Sequence, residues 1–307
     1  MPLNSPINDP LQQFVTGTLY VVATPIGNLN DITFRALETF QKVELIAAED
    51  TRHTKKLLAH FKIKSRLIAY HEHNEEQSTK GILDKLKSGA SVALVSSAGT
   101  PTVSDPGYRL INTAIKEKIT VVPIPGVSAA ITAMSASGLP SDRFCFIGFL
   151  PSKSRKRLEH LNQLVDMDAT LIFYESPRRI IAVLENMLEI FGDRYAVFSR
   201  EMTKTYEEFL RGNFSELLAE LKNRQTIKGE ITLLVSGDKI KKPFCFEDIR
   251  HQVEAELKMG KTGVLQLAKQ LSISCGVSKN MLYDKILDLK STIEQVSDGE
   301  KGDNTDG

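Results

Sequence analysis

A chain of 307 residues, 41% hydrophobic and 25% charged, has the makeup of a globular protein of two or three ordinary domains. Its 39 lysines and arginines nearly balance 38 aspartates and glutamates, so bulk charge excludes a strongly basic or acidic chain and makes no case for nucleic acid. No apolar run reaches membrane-spanning length, and the first 14 residues lack signal-peptide character. Cys145, Cys245 and Cys275 are scattered without disulfide or metal spacing, so the expectation is a soluble, cytoplasmic protein.

Residues 1–16 read as a flexible N-terminus. Residues 17–148 then alternate apolar strands with amphipathic helices. Strands are predicted at Leu19–Ala23, Leu45–Ala48, Leu67–Tyr70, Val92–Ser96 and Thr120–Val122. Helices are predicted at Ile32–Gln41, Thr51–His60, Ser78–Ser88, Tyr108–Lys118 and Ser128–Ser137. Gly89 and Gly138 stand where helices end in a left-handed residue, while Asp31 and Asp50 stand where helices are capped. Strict strand–helix alternation implies an α/β domain with a largely parallel sheet covered on both faces.

Three loops in this half carry Pro and Gly just past a strand: Thr24-Pro-Ile-Gly-Asn-Leu-Asn-Asp31, Ser97-Ala-Gly-Thr-Pro-Thr-Val-Ser-Asp-Pro-Gly107 and Pro125-Gly-Val-Ser128. In a parallel sheet these loops share one edge, where small residues let a ligand approach backbone amides. A shared small-molecule pocket is the expectation.

The pattern changes near Phe149. Residues 149–240 read as a second, α+β domain whose boundary with the first forms a cleft. The stretch Phe144–Gly148 leads into it from the boundary; its strands are predicted at Thr170–Tyr174, Ala196–Arg200 and Glu230–Val235, with a hairpin over Thr205–Arg211 leading to Gly212-Asn213. Its helices are predicted at Arg155–Val165, Arg178–Phe191 and Phe214–Asn223. Two basic clusters, Lys153/Arg155/Lys156/Arg157 and Lys239/Lys241/Lys242, read first as solvated surface, with phosphate contact as the alternative. Residues 244–290 show only helical patterns (Glu247–Met259, Gly263–Leu271, Lys279–Leu289); the last two have the spacing of a helix-turn-helix. Residues 291–307 carry a net charge of −4 and read as a disordered acidic tail.

Five motifs occur in order: Val22-Ala-Thr-Pro-Ile-Gly-Asn-Leu-Asn-Asp31, Ala48-Glu-Asp-Thr-Arg52, Ser97–Gly107, Pro125-Gly-Val-Ser-Ala-Ala130 and Phe173-Tyr-Glu-Ser-Pro-Arg178. Together they resemble the tetrapyrrole (corrin/porphyrin) methylase family, and within it the ribosomal RNA small subunit methyltransferase I branch. The resemblance spans Gly17–Gly237, with a helical end domain beyond. It implies a two-domain tetrapyrrole-methylase-like fold and an S-adenosylmethionine-dependent 2′-O-ribose methyltransferase. The implied target is a decoding-region cytidine of 16S ribosomal RNA in the small ribosomal subunit; a homodimer is implied too. Tetrapyrrole methylases carry Gly-Gly-Asp-Pro where this chain has Ala98-Gly99-Thr100-Pro101, which counts against a porphyrin substrate.

The resemblance places Pro25, Ala98, Gly99, Thr100, Val103, Ser128 and Ala129 at the cofactor, with Tyr174 or Glu175 closing over it and Ile231 or Thr232 near the adenine. A ribose hydroxyl needs help to act as a nucleophile. The base is open among Asp31, Asp50, Asp105 and Glu175, with Glu49 and His53 beside them. Asp31 and Asp50 read equally well as helix caps and Asp105 as a turn-former. Arg52, Lys153, Arg155, Arg157 and Arg178 are the candidate RNA contacts. His71 and His73, flanking Glu72, invite a metal reading, but exposed loop histidines are more often without a role and no metal is assigned. Two other functions fit the sequence: methylation of a tetrapyrrole or other small molecule, and a non-enzymatic nucleotide-sensing regulator that binds DNA through its C-terminal helices.

Overall fold

The computed structural model describes residues 17–237, 246–259, 262–275 and 277–299. Residues 17–237 belong to one compact unit and the C-terminal helices to another.

Sheet A comprises β1 (Thr18–Val22), β2 (Leu45–Ala48), β3 (Leu67–Ala69), β4 (Val92–Val95) and β5 (Thr120–Ile124), all parallel, in the order β3-β2-β4-β1-β5. Its connecting helices are α1 (Phe34–Lys42), α2 (Thr51–His60), α3 (Glu75–Lys87) and α4 (Tyr108–Lys116). Side chains of a strand alternate between faces, and here both faces are buried. Leu45, Ala47, Val92 and Leu94 pack with Ile82, Leu86, Leu110 and Ala114 from α3 and α4. Ile46, Ala48, Ala93 and Val95 pack on the other face with Ala36, Phe40, Leu57 and Leu58 from α1 and α2. Each buried leucine, isoleucine, valine or phenylalanine here contributes about 1.5–3 kcal/mol, and the alanines less, so both layers hold the sheet in place. Neighbours β1 and β4 send their connections toward opposite edges, to β2 and to β5. Such a switch point opens a crevice at the strands' carboxyl ends.

Sheet B is mixed. It comprises β6 (Phe144–Phe149), β7 (Thr170–Glu175), β8 (Tyr195–Arg200), β9 (Glu208–Asn213) and β10 (Ile231–Val235), in the order β6-β7-β10-β8-β9, with only β6–β7 parallel. One face packs under α6 (Ser154–Asn162), α7 (Ile180–Phe191) and α8 (Phe214–Lys222) through Phe173, Phe198, Ile231 and Leu233. The other receives α5 (Ala129–Ser137): Ala130, Ala133 and Met134 meet Ile172, Val197 and Leu234, joined by Ile26 from the β1 loop. Because α5 follows β5, this cluster binds the two sheets together.

The C-terminal unit consists of α9 (Glu247–Met259), α10 (Val264–Cys275) and α11 (Lys279–Gly299) around Val253, Leu267, Ala268, Leu271, Leu282 and Ile286. No described helix is long and apolar enough to cross a membrane.

Several sequence expectations need correction. Asp31 does not cap the first helix: it ends a single 3-10 turn (Leu29–Asp31), and α1 begins at Phe34 with the Thr33 hydroxyl accepting from the Ala36 amide. Threonine two residues on is itself a favoured cap, and the helix starts after it. Gly212-Asn213 is not a hairpin turn but the end of β9, where Asn213 caps α8 in a reciprocal box with Glu216; the reversal lies over 201–207. The stretch 272–275 continues α10, leaving a shorter break than a helix-turn-helix reading assumed. The acidic tail begins later than expected, since α11 runs to Gly299 and Ile293 packs against its unit's core. Residues 1–16, the Lys239/Lys241/Lys242 cluster and residues 300–307 lie outside the described residues.

Candidate active site

The three Pro- and Gly-bearing loops meet at the carboxyl edge of sheet A. Thr24 and Gly99 exchange both backbone hydrogen bonds, at 2.9 and 3.0 Å. The Thr100 hydroxyl donates to the Val127 carbonyl at 3.0 Å, tying the β4 loop to the β5 loop. Gly27 presses on the 201–207 turn, where an added Cβ would stand 2.4 Å from Lys204 Cγ. The β4 loop coils tightly: Gly99, Thr102, Ser104 and Gly107 all have positive φ, of 78°, 75°, 64° and 138°. At Thr102, a β-branched residue, this costs of order 1–3 kcal/mol and persists only because its surroundings enforce it.

The coil presents Ala98, Gly99, Thr100, Val103, Ser104 and Asp105 to a cavity of about 190 Å³. Ser128 and Ala129 close it from the start of α5, Ile26 from the β1 loop, and Phe149, Tyr174, Met202, Glu230 and Thr232 from the sheet B side. Tyr174 and Thr232 are register partners across β7 and β10. The Tyr174 ring is held edge-on by Phe146 and Phe149, at 4.9 and 5.7 Å, and its hydroxyl accepts from the Ala130 amide at 3.2 Å. One of the amides left unpaired at the start of α5 is thereby satisfied by sheet B. A second cavity of about 270 Å³ adjoins the first through Ile26, Ala98 and Glu230, and includes Pro25, Gly27, His53 and Lys204. Joined, the two reach the range of roughly 300–1,000 Å³ usual for small-molecule sites.

Seven residues that the family resemblance assigned to a cofactor line the first cavity: Ala98, Gly99, Thr100, Val103, Ser128, Ala129 and Tyr174. Pro25 lines only the adjoining one. Thr232 faces the cavity, whereas Ile231 turns into the core on the opposite side of sheet B. Ile26, Ser104, Phe149, Met202 and Glu230 also line it and escaped the sequence reading; Ile26 and Ser104 sit inside quoted motifs but were not singled out, whereas Phe149, Met202 and Glu230 have no motif around them.

The four candidate bases separate. Asp105 lines the cavity, and burial together with the nearby Glu49 charge pushes its carboxyl up to about 6. Asp50 is exposed and caps α2, accepting from the Arg52 and His53 amides (2.8 and 3.2 Å), which hold it below the usual carboxylate range. Glu175 is buried; it pairs with Arg179 at 3.1 Å and accepts from the Ser176 amide, away from the cavity lining. Asp31 lies outside both cavities, with Oδ2 buried and unpartnered. Glu49 accepts from the Ser97 amide at 2.8 Å and shares with His71, His73 and Asp105 a third recess beside the first cavity. No cluster of three or more metal-ligating side chains occurs among the described residues.

Of the candidate RNA contacts, Arg52, Lys153 and Arg178 are exposed. Arg155 is exposed but paired with Glu159 at 3.0 Å. Arg157 is buried, donating to Asn186 Oδ1 (2.7 Å) and the Ser152 carbonyl; it braces α6 on α7 and offers nothing to a surface phosphate.

The sequence model of the tetrapyrrole (corrin/porphyrin) methylases matches residues 18–218. The chain belongs to this family. Among its relatives is a ribosomal RNA small subunit methyltransferase I of Halalkalibacterium halodurans, 55% identical over 72% of this chain and 76% of the relative. The protein of the same name from Escherichia coli O157:H7 is 49% identical over 89% of this chain and 95% of its own length. The solved Thermus thermophilus uroporphyrin-III C-methyltransferase complexed with S-adenosylhomocysteine shares the fold at a TM-score of 0.51 and 18% identity, covering 72% of this chain and 98% of its own.

Proposed function

We propose that this chain is an S-adenosylmethionine-dependent methyltransferase of the small ribosomal subunit, modifying the ribose 2′-hydroxyl of a decoding-region cytidine in 16S ribosomal RNA. The observation that carries the reading is the joint wall of Ala98, Gly99, Ser128, Ala129, Tyr174 and Thr232, where small residues of two sheet A loops face side chains from sheet B. The names of relatives that are half identical over most of the chain support the ribosomal RNA part.

The residues present fit the cofactor. Ala98, Gly99 and Ala129 let backbone approach a folded ligand closely, Ile26, Val103 and Met202 cover its apolar parts, and Glu230 offers an acceptor to its polar groups. When bound, S-adenosylmethionine supplies an electrophilic methyl group, and positioning contributes much of the rate of such a transfer. Asp105 is the base this geometry favours: it alone of the four candidate carboxylates faces the cavity, and it is ionised at neutral pH yet basic enough to accept a hydroxyl proton. Tyr174, anchored to the start of α5, keeps the two walls in register and excludes water. A homodimer, as the resemblance implies, is supported by side chains such as Phe34, which is 87% exposed, and would be checked by sedimentation.

The test uses tritiated S-adenosylmethionine and small subunits from cells lacking this protein. Label is expected in 16S ribosomal RNA at one nucleotide that resists alkaline cleavage, the signature of a blocked 2′-hydroxyl. Cofactor binding without label in RNA sinks the substrate assignment, and label on a porphyrinoid favours the small-molecule alternative. Loss of cofactor binding itself sinks the whole reading.

A further inference from the structure

We infer that the groove between α2 and β3 is a docking track for the phosphate backbone of RNA; this rests on the ribosomal RNA reading above and adds the surface that reading lacks. The segment 51–66 carries Arg52, Lys55, Lys56, Lys62, Lys64 and Arg66 and not one carboxylate, although the chain as a whole is almost neutral. All six cations are exposed, and none has an ion-pair partner among the described residues. Basic residues elsewhere are often neutralised locally, as Lys42 is by Glu38 and Arg224 by Glu208 and Glu220.

These cations do not merely dot a surface. Arg52, Lys55, Lys62 and Lys64 line one groove of about 850 Å³, floored by apolar Leu58, Ile63 and Leu67. The Ser65 hydroxyl lines it too and is buried without a hydrogen-bond partner, a free donor beside the cations. Lys62 reaches the groove because it closes α2 in a left-handed conformation, φ 56°. Clustered, unpaired lysines along a groove present a continuous polyanion-binding surface, sequence-independent and sensitive to salt.

The groove also points at the site. Its residue Arg52 is followed by His53, which lines the cavity joined to the proposed cofactor site through Ile26, Ala98 and Glu230. From that end α2 extends ten residues, about 15 Å, so an RNA strand held along it would feed a nucleotide toward Asp105.

The test compares wild type with Lys55→Gln/Lys62→Gln/Lys64→Gln. A control triple, Lys85→Gln/Lys116→Gln/Lys118→Gln, removes equal charge from exposed positions on α3 and around the end of α4. Binding to unmodified small subunits, single-turnover methylation and S-adenosylmethionine affinity are measured across a salt series. The groove triple is expected to weaken subunit binding tenfold or more and to flatten the plot of log affinity against log salt by about two, near 0.7 per lost phosphate contact. Its cofactor affinity should match wild type, and the control triple should bind subunits as wild type does. If wild type methylates subunits and the groove triple binds them equally well, or both triples lose equally, the track is overturned while the functional reading stands. If wild type neither binds nor methylates RNA, both fall.

Discussion

At the scale of single residues, the proposed chemistry rests on Asp105. Its carboxyl is raised to about 6 by burial and by Glu49, so methyl transfer should climb as pH rises through 6 and level off above it. Asp105→Asn should lower the single-turnover rate at least a hundredfold while leaving cofactor affinity within a few-fold. A stability effect of opposite sign accompanies this. The folded carboxyl binds its proton more tightly than the unfolded one, so relative stability is full below about 4 and is lost as pH rises through 6. Asp105→Asn should therefore melt higher than wild type at pH 8 and show no gain at pH 4. A full-rate Asp105→Asn enzyme would move the base elsewhere, with His53 in the adjoining cavity next to be tested. This residue was visible in the sequence only as one of four, because a carboxylate's role depends on what surrounds it. Asp50 was legible as a cap, since capping is a contact two or three residues long. Asp31 was not, because a competing threonine follows at once.

At the scale of elements, α5 carries the most information. Its run Ala-Ala-Ile-Thr-Ala-Met-Ser-Ala-Ser suggests close approach of a ligand, and the start of the helix does face the cavity. The rest is small for another reason: Ala130, Ala133 and Met134 lie flat against sheet B. Arg211 of β9 then closes the helix's far end, donating to the carbonyls of Ala136 (2.6 Å) and Ser137. Ala133 has no exposed surface, so Ala133→Leu should cost about 1–3 kcal/mol by overpacking. It should also weaken S-adenosylmethionine binding several-fold by displacing Ala129. Thermal melting with calorimetric titration checks both, using Ile131→Leu on the exposed face as a silent comparison. An Ala133→Leu protein that melts and binds like wild type would remove α5 from its bridging role. Helix and strand periods reported both faces of sheet A well, yet no period tells a helix which sheet it will meet.

At the scale of the whole molecule, ion pairs tie the β8–β9 edge of sheet B to the segment after α8. Glu208 on β9 joins Arg200 on β8 at 2.9 Å and Arg224 after α8 at 2.6 Å. Hydrogen bonds from the Arg224 guanidinium, then from Arg200, hold the Glu208 carboxyl down at about 2. A depressed carboxyl stabilises the fold above its ordinary value of 4.5 and loses that contribution as pH falls toward 2. Glu208→Gln should thus melt below wild type at pH 7, with the two converging near pH 2; parallel melting curves across that window would refute the assignment. The C-terminal unit keeps a separate apolar core, so it owes its helices to its own packing.

The sequence by itself determined the alternation of strands and helices, the parallel sheet and the three loops that gather at its carboxyl edge. Those rest on periodicity and turn chemistry, which act over a few residues. Only the tertiary structure decided which carboxylate faces the cavity and that sheet B supplies its second wall. It also decided that cations spaced along 52–64 gather in one groove, whereas the denser Lys153–Arg157 cluster spends Arg157 on the core. Burial and proximity are relations between residues far apart in the chain, and they come into being only when the chain packs.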